Sequence, residues 1–367
     1  RGSKLLVPIE SISSKNKKEM ENMNIEKEEK KKEKGWDEYK GTWAYRLRTI
    51  MHTIPNETAF IRGKERLTWR EVERETNKFG NGLLDLGMRK GDGLLFMDYN
   101  TRACYETYVT SYRYGFTSAN VHYRFYPKEI AHVCNNFQGK TLIFDEDRID
   151  RVRETMPLLE TVENFIVDGE NVPDDMIGFD DLVSRSPDTD PLLDPRYIKP
   201  IGPDPFWCLY TGGTTGLPKG VEWYNFSFFD MFNQWGAPLL DNLPEFVDLP
   251  KEVLSSIGRM APLIDSNVTK KILKDPSLPW IVSKVLHLGT TPAFSPILES
   301  LVSYLLGKRT KWLTIGPLIH GWCGIFLQVS LVLGATNIFC TSKTLNPQEI
   351  CEIIERERAS VLITTGD

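Results

Sequence analysis

The 367-residue chain has only six cysteines, at 104, 134, 208, 323, 340 and 351, and no two of them stand in C-x-x-C spacing. That excludes the common zinc and dithiol motifs, and a chain of this size needs no disulfide framework to fold. Buried free thiols in a reducing cytoplasm are the expectation. Long apolar runs are also missing. The most apolar stretch, Ile325 to Ala335, is short and holds Gln328 and Ser330, so it falls below the ~18 residues of a spanning helix. No basic-then-apolar leader opens the chain. A surplus of positive charge is absent too: the formal net charge is -5, which speaks against a nucleic-acid partner.

What is present divides the chain. Residues 15–34 carry eight Lys and six Glu with Met20, Met23 and Ile25 as the sizeable apolar side chains. Such a segment buries too little to offset its ordering entropy, so residues 1–40 read as a charged arm. From Ala59 to Leu67 two short strands flank Arg62-Gly63-Lys64, a hairpin signal. Val72, Thr76, Phe79, Leu83 and Leu86 recur at helical spacing, with charged residues opposite and Gly87 as the stop. Apolar strands near Leu94–Met97, Ser118–Val121, Thr141–Phe144 and Phe165–Val167 then alternate with helices near 105–114 and 127–135. This alternation predicts an α/β fold: parallel sheets covered by helices on both faces. A Pro- and Asp-rich stretch, 184–205, reads as a linker between a first unit (41–183) and a second (206–367). Within the second, residues 226–312 read as a long insertion.

The chemistry concentrates in Tyr210-Thr211-Gly212-Gly213-Thr214-Thr215-Gly216-Leu217-Pro218-Lys219-Gly220-Val221. An apolar strand, Phe206–Leu209, feeds a loop of glycines, threonines and one lysine. Glycines let backbone amides approach an oxyanion, hydroxyls add donors and lysine adds a point charge. The combination suits a nucleotide triphosphate. It is not a Walker A loop, because Pro218 precedes Lys219 and Gly220 follows it. A plain glycine-rich turn is the competing reading.

This loop resembles the phosphate loop of the adenylate-forming superfamily, which includes acyl-CoA synthetases, luciferases and peptide-synthetase adenylation domains. Leu67-Thr68-Trp69-Arg70-Glu71-Val72 is similar to the family's "LTYREL" helix start, and Leu86-Gly87-Met88-Arg89-Lys90-Gly91-Asp92 to its "LGVKKGD" turn. Asn120-Val121-His122-Tyr123-Arg124-Phe125 resembles "NVNYRY", and Gly316-Pro317-Leu318-Ile319-His320-Gly321 resembles "PLFHxxG". The likeness runs over roughly residues 40–367, and the Thr-Gly-Gly-Thr-Thr-Gly variant leans toward the branch for long-chain fatty acids or bulky lipid and steroid side-chain acids.

The resemblance implies an ATP-dependent ligase. A carboxylate attacks the α-phosphate, pyrophosphate leaves, and the thiol of coenzyme A then displaces AMP. Thr211, Gly212, Gly213, Thr214, Thr215, Gly216 and Lys219 would hold the phosphates with Mg²⁺, Gly212 standing where serine is commoner. Thr214, Lys219 and His320 would be catalytic, His320 lying beside the acid with Trp322 near; a satisfied core histidine is the competing reading. His52, His122, His132 and His287 are assigned structural roles, and Arg124 stays open between an ion pair and a ligand contact. No metal ligand is assigned: the family's Mg²⁺-binding Glu, its ribose-binding Asp and its lysine-bearing small domain would follow Asp367. The isolated chain is therefore expected to be inactive and its parent active. The insertion reads either as a separately packed helical unit or as an apolar lid suited to a membrane surface. An aryl- or amino-acid-adenylating domain, or an inactive nucleotide-binding regulator on the same scaffold, are the alternatives.

Overall fold

The computed structural model describes residues 42–191, 194, 196, 197, 205–211, 217–224 and 310–364. The charged arm and most of the 226–312 insertion lie outside them. Helix α1 (Trp43–Thr53) precedes a hairpin of β1 (Thr58–Arg62) and β2 (Glu65–Thr68), turned at Gly63 with φ 61°. Helix α2 (Trp69–Asp85) follows at once. Thr68 and Glu71 form a capping box there: the Glu71 amide donates to Thr68 Oγ1, and the Thr68 amide donates to Glu71. Four amides of a helix start need such partners. The helix ends as its spacing predicts, with Gly87 at φ 90°. Next come β3 (Gly93–Met97), α3 (Arg102–Tyr114), β4 (Thr117–Asn120), α4 (Pro127–Phe137), β5 (Gly139–Asp145) and α5 (Ile149–Thr155). After these run β6 (Asn164–Asp168), β7 (Ile177–Gly178), α6 (Phe179–Arg185), β8 (Pro205–Thr211) and β9 (Lys219–Tyr224). The last described elements are β10 (Lys311–Thr314), α7 (Gly321–Leu333), β11 (Thr336–Phe339), α8 (Pro347–Glu357) and β12 (Val361–Ile363).

Two sheets result. One is ordered β7-β6-β5-β3-β4-β8-β9 and the other β12-β10-β11-β1-β2; all neighbours are parallel except the edge pairs β8/β9 and β1/β2. Alternate residues of each strand enter different cores, as a sheet covered on both faces requires. Leu94, Phe96, Trp207, Phe60, Trp312 and Phe339 share one central core with α1, α2, α3 and α7, between the sheets. Leu95, Met97, Leu142, Phe144, Cys208 and Tyr210 pack outward against α4. Ile61, Leu313 and Ile338 pack outward against Ile353 of α8. Helix α3 bridges the layers: Tyr105 meets Phe60 and Phe339 of one sheet, and Tyr108 meets Phe96 and Trp207 of the other.

Sheet membership cuts across the division read at 184–205. The hairpin β1/β2, from before it, joins β10–β12 from after it, while β8 and β9 join the strands of the first unit. Alternation in sequence reports that strands exist but not which sheet completes each one. The described part of 184–205 is also fastened down: the Asn81 amide donates to the carbonyls of Pro187 and Thr189, and Tyr197 donates to Arg113 O. Cys104, Cys134, Cys208 and Cys323 are buried free thiols as expected, but Cys340 is half-buried and Cys351 exposed. No described helix is long and apolar enough to cross a membrane.

Candidate active site

The glycine-threonine segment joins β8 to β9. Gly212, Gly213, Thr214, Thr215 and Gly216 lie outside the described residues, so its stems define its place. Thr211 ends β8 and Lys219 begins β9, and the antiparallel register sets these two exposed residues opposite each other. Two sequence-assigned site residues are thus neighbours across the loop's base. Gly220 has to lack a side chain, since a β-carbon there would lie 2.7 Å from Cys208 Sγ. Helix α4 grips both stems. Tyr210 Oη donates to Asn136 Oδ1 at 2.7 Å, and His132 Nε2 donates to Pro218 O at 3.0 Å. His132 is therefore structural, as assigned, and the structure it holds is the loop's return.

His320 is the exposed N-cap of α7, in the turn that leaves β10. That turn belongs by chain to the five-stranded sheet but is tied to the other one. Asn100 donates to Gly316 O at 2.9 Å and accepts from the Leu318 amide at 2.8 Å; Tyr108 Oη donates to Leu318 O at 2.9 Å; and Asn120 Nδ2 donates to Ile319 O at 2.7 Å. Two glycines bring α7 onto β8. A β-carbon on Gly321 would stand 2.4 Å from Leu209 Cδ2, and one on Gly324 2.9 Å from the Trp207 ring. Leu209 is two residues before Thr211, and Gly321 directly follows His320. The stem of the glycine-threonine loop and the histidine turn accordingly share one corner of the molecule.

His122, assigned a structural role from sequence, belongs to this corner. Its ring meets that of His320 edge-on with centroids 5.6 Å apart. The Arg124 amide donates to His122 Nδ1 at 3.0 Å, so the ring's own proton is on Nε2. Burial, then the neighbouring His320, push His122 down to about 4, which keeps it neutral at ordinary pH. Trp322 is exposed and packs edge-on to Phe326. A signal for His122 was available: it lies in the Asn120–Phe125 segment, but its partner is 198 positions away and no local period marks it.

A cavity of about 770 Å³ opens between the carboxyl ends of the two sheets. Arg62, Arg124, Arg148, Arg151 and Lys343 line it, together with Tyr99. Most of these cations are held in place. Lys343 Nζ donates to Asp145 and Asp147 at 2.8 and 2.6 Å and lies 4.9 Å from the Tyr99 ring centre. Arg151 donates to the carbonyls of Tyr123 and Phe125. Arg124 stands exposed beside the Tyr123 ring. Convergent cations around aromatic rings can receive a polyanion. Below, at the end of β3, Asp98 is fully buried; burial and then the charge of Asp168 hold its carboxyl well above the usual range. Among the described residues no group of three or more His, Cys, Asp or Glu side chains gathers to hold a metal ion.

The AMP-binding enzyme family profile matches residues 47–245, more than half of the chain, and the chain belongs to that family. A medium/long-chain-fatty-acid–CoA and 3-oxocholest-4-en-26-oate–CoA ligase of Mycobacterium marinum is 29% identical over 173 residues, covering 46% of this chain and 32% of that protein. The medium-chain acyl-CoA ligase Mig of Mycobacterium avium is 24% identical over 339 residues, covering 87% of this chain and 51% of the relative. The chain thus spans between a third and a half of these relatives' length. Among solved structures, a long-chain-fatty-acid CoA ligase from Rhodopseudomonas palustris superposes with a TM-score of 0.60 at 17% identity, over 89% of this chain and 63% of its own. That likeness establishes the shared α/β fold.

Proposed function

We propose that the full-length protein uses ATP to activate a fatty or lipid-derived carboxylic acid, first as an acyl-adenylate and then as a coenzyme A thioester. The observation that carries this reading is the shared corner: Leu209 of the loop-bearing strand against Gly321 beside His320. In the first step a carboxylate oxygen bonds to the α-phosphorus of ATP, and the bond to pyrophosphate breaks. Thr211, Gly212, Gly213, Thr214, Thr215, Gly216 and Lys219 would neutralise the β- and γ-phosphates as that charge develops. Mg²⁺ would arrive with the nucleotide. Its charge suits a loop that supplies amides, hydroxyls and one lysine. His320 would flank the acid. In the second step the coenzyme A sulfur bonds to the acyl carbon and AMP leaves; the cationic cavity suits the phosphates of that thiol. Relatives named for fatty and steroid side-chain acids favour a lipid acid over an aryl or amino acid.

The test is ATP–pyrophosphate exchange by the full-length protein against medium- and long-chain acids, a sterol side-chain acid, benzoate and amino acids. Exchange dependent on the lipid acids is expected. Exchange driven by amino acids, or none with any acid despite measurable ATP binding, would overturn the proposal.

A further inference from the structure

Asn120 is the last residue of β4, 2% exposed, and both ends of its side-chain amide are used. Its Nδ2 donates to Ile319 O at 2.7 Å, 199 residues along the chain, in the turn that presents His320. Its Oδ1 accepts from the Tyr210 amide at 3.3 Å, 90 residues along, in the strand residue directly before Thr211. Parallel pairing of β4 with β8 is registered at Ser118 with Trp207 and Ala119 with Cys208. Beyond that point the side chain of Asn120 carries the contact onward. One rigid amide, flat and only two torsions from the backbone, therefore spans the two pieces of chain that the proposed reaction must align. Asn100 and Tyr108 hold the turn as well, and Tyr108 meets β8 through its ring contact with Trp207, three residues before Tyr210.

We infer that Asn120 is a positioning residue that sets the spacing between the phosphate-loop strand and the His320 turn. The inference rests on the functional reading above for its kinetic consequence, but not for the link itself. A side chain that only filled space would not be bonded at both ends to backbone groups of separate elements. Buried amides so paired are costly to break at either end, which makes the spacing stiff. Misplacement of reacting groups by a fraction of an ångström to an ångström slows attack without abolishing binding. The expected signature is thus a fall in rate, with binding of each substrate retained.

The test uses the full-length protein and two variants, with Asn100→Ala as a comparison. In hydrogen exchange, Asn120→Ala should loosen the peptides that hold Tyr210 and His320 together, whereas Asn100→Ala should loosen the His320 turn alone. Asn120→Asp keeps the acceptor for Tyr210 but loses the donor to Ile319 while ionised. It should loosen only the turn near pH ~8 and regain protection near pH ~6, where a buried carboxyl reprotonates. In single-turnover adenylation, Asn120→Ala should slow the step about ten- to hundredfold with the KM values for acid and ATP within about threefold. The rate of Asn120→Asp relative to wild type should climb several-fold between those pH values, and that of Asn120→Ala should stay flat. Loosening at only one of the two stretches in Asn120→Ala, or equal loosening of both in Asn100→Ala, would overturn the inference. If wild type forms no adenylate, the proposed function fails, and the exchange arm still decides the link.

Discussion

Gly321 and Leu209 touch so closely that a β-carbon on the glycine would lie 2.4 Å from Leu209 Cδ2. Gly321 is the first residue of the helix that His320 caps, and Leu209 lies two residues before the end of the strand that leads into the glycine-threonine loop. Gly321→Ala in the full-length protein should therefore force these elements apart. Overpacking of this kind costs about 1–3 kcal/mol, read as a lower denaturation midpoint with an unchanged slope. Leu209→Ala added to Gly321→Ala should recover part of that loss. If Gly321→Ala is as stable as wild type, the contact is looser than the geometry states.

The loop should matter to one half-reaction. Thr214→Ala combined with Thr215→Ala should slow adenylation by on the order of 10³, since each preorganised donor to developing charge is worth ~10²–10³ and the two share one ligand. Thiolation of supplied acyl-AMP has no pyrophosphate to stabilise and should change less than about tenfold. Lys219→Ala should be milder, because Mg²⁺ shares its charge-neutralising task. Single-turnover kinetics of each half-reaction decide this, and equal losses in both halves would make the loop structural.

Glu106 on α3 gives a pH signature to stability. It is fully buried, its oxygens accept no hydrogen bond, and Arg102 one turn earlier is 3.8 Å away and shared with Glu65, Glu75 and Asp180. Burial, only partly offset by Arg102, raises its carboxyl to about 8. The unfolded chain releases that proton near ~4.3. The native state therefore holds a proton that the unfolded state lacks, and stability falls as pH rises from ~4.3 toward about 8, then levels. Glu106→Gln should remove that decline, with a gain of a few kcal/mol at the alkaline end and almost none at the acid end. Parallel stability–pH curves for the two proteins would refute the assignment.

Arg124 tests the cationic cavity. Arg124 and Lys343 are the exposed cations among those lining it; Lys343 is held by Asp145 and Asp147, whereas Arg124 stands beside the Tyr123 ring. If the cavity receives the phosphates of the thiol substrate, Arg124→Ala should raise the KM for coenzyme A about tenfold, the size of a charge-assisted hydrogen bond. The KM for pantetheine, which has no phosphate, should hardly move. Equal effects on both thiols would show that the arginine acts on something other than charge recognition.

Particular residues show how far the sequence could be read. The stop at Gly87 and the turn at Gly63 depend on neighbours within a few positions, and each stands where the pattern places it; the cap that Thr68 and Glu71 form is as local. The loop from Thr211 to Lys219 stands out for the same reason, since its residue pattern is contiguous. His122 does not: alone it is a histidine in a turn, and it gains meaning only from His320 across the corner. Asn120 carries no local signal either, because both of its partners lie far along the chain.

By itself, then, the sequence determined the α/β alternation, the turn at Gly63 and the helix stop at Gly87, because hydrophobic period and backbone chemistry act over a few residues. Tertiary structure alone decided that β1 and β2 complete the distant sheet, that β8 completes the near one, and that Asn100, Tyr108 and Asn120 hold the His320 turn. Those choices depend on which buried faces and polar groups find partners when the whole chain closes, and no local pattern encodes that closure.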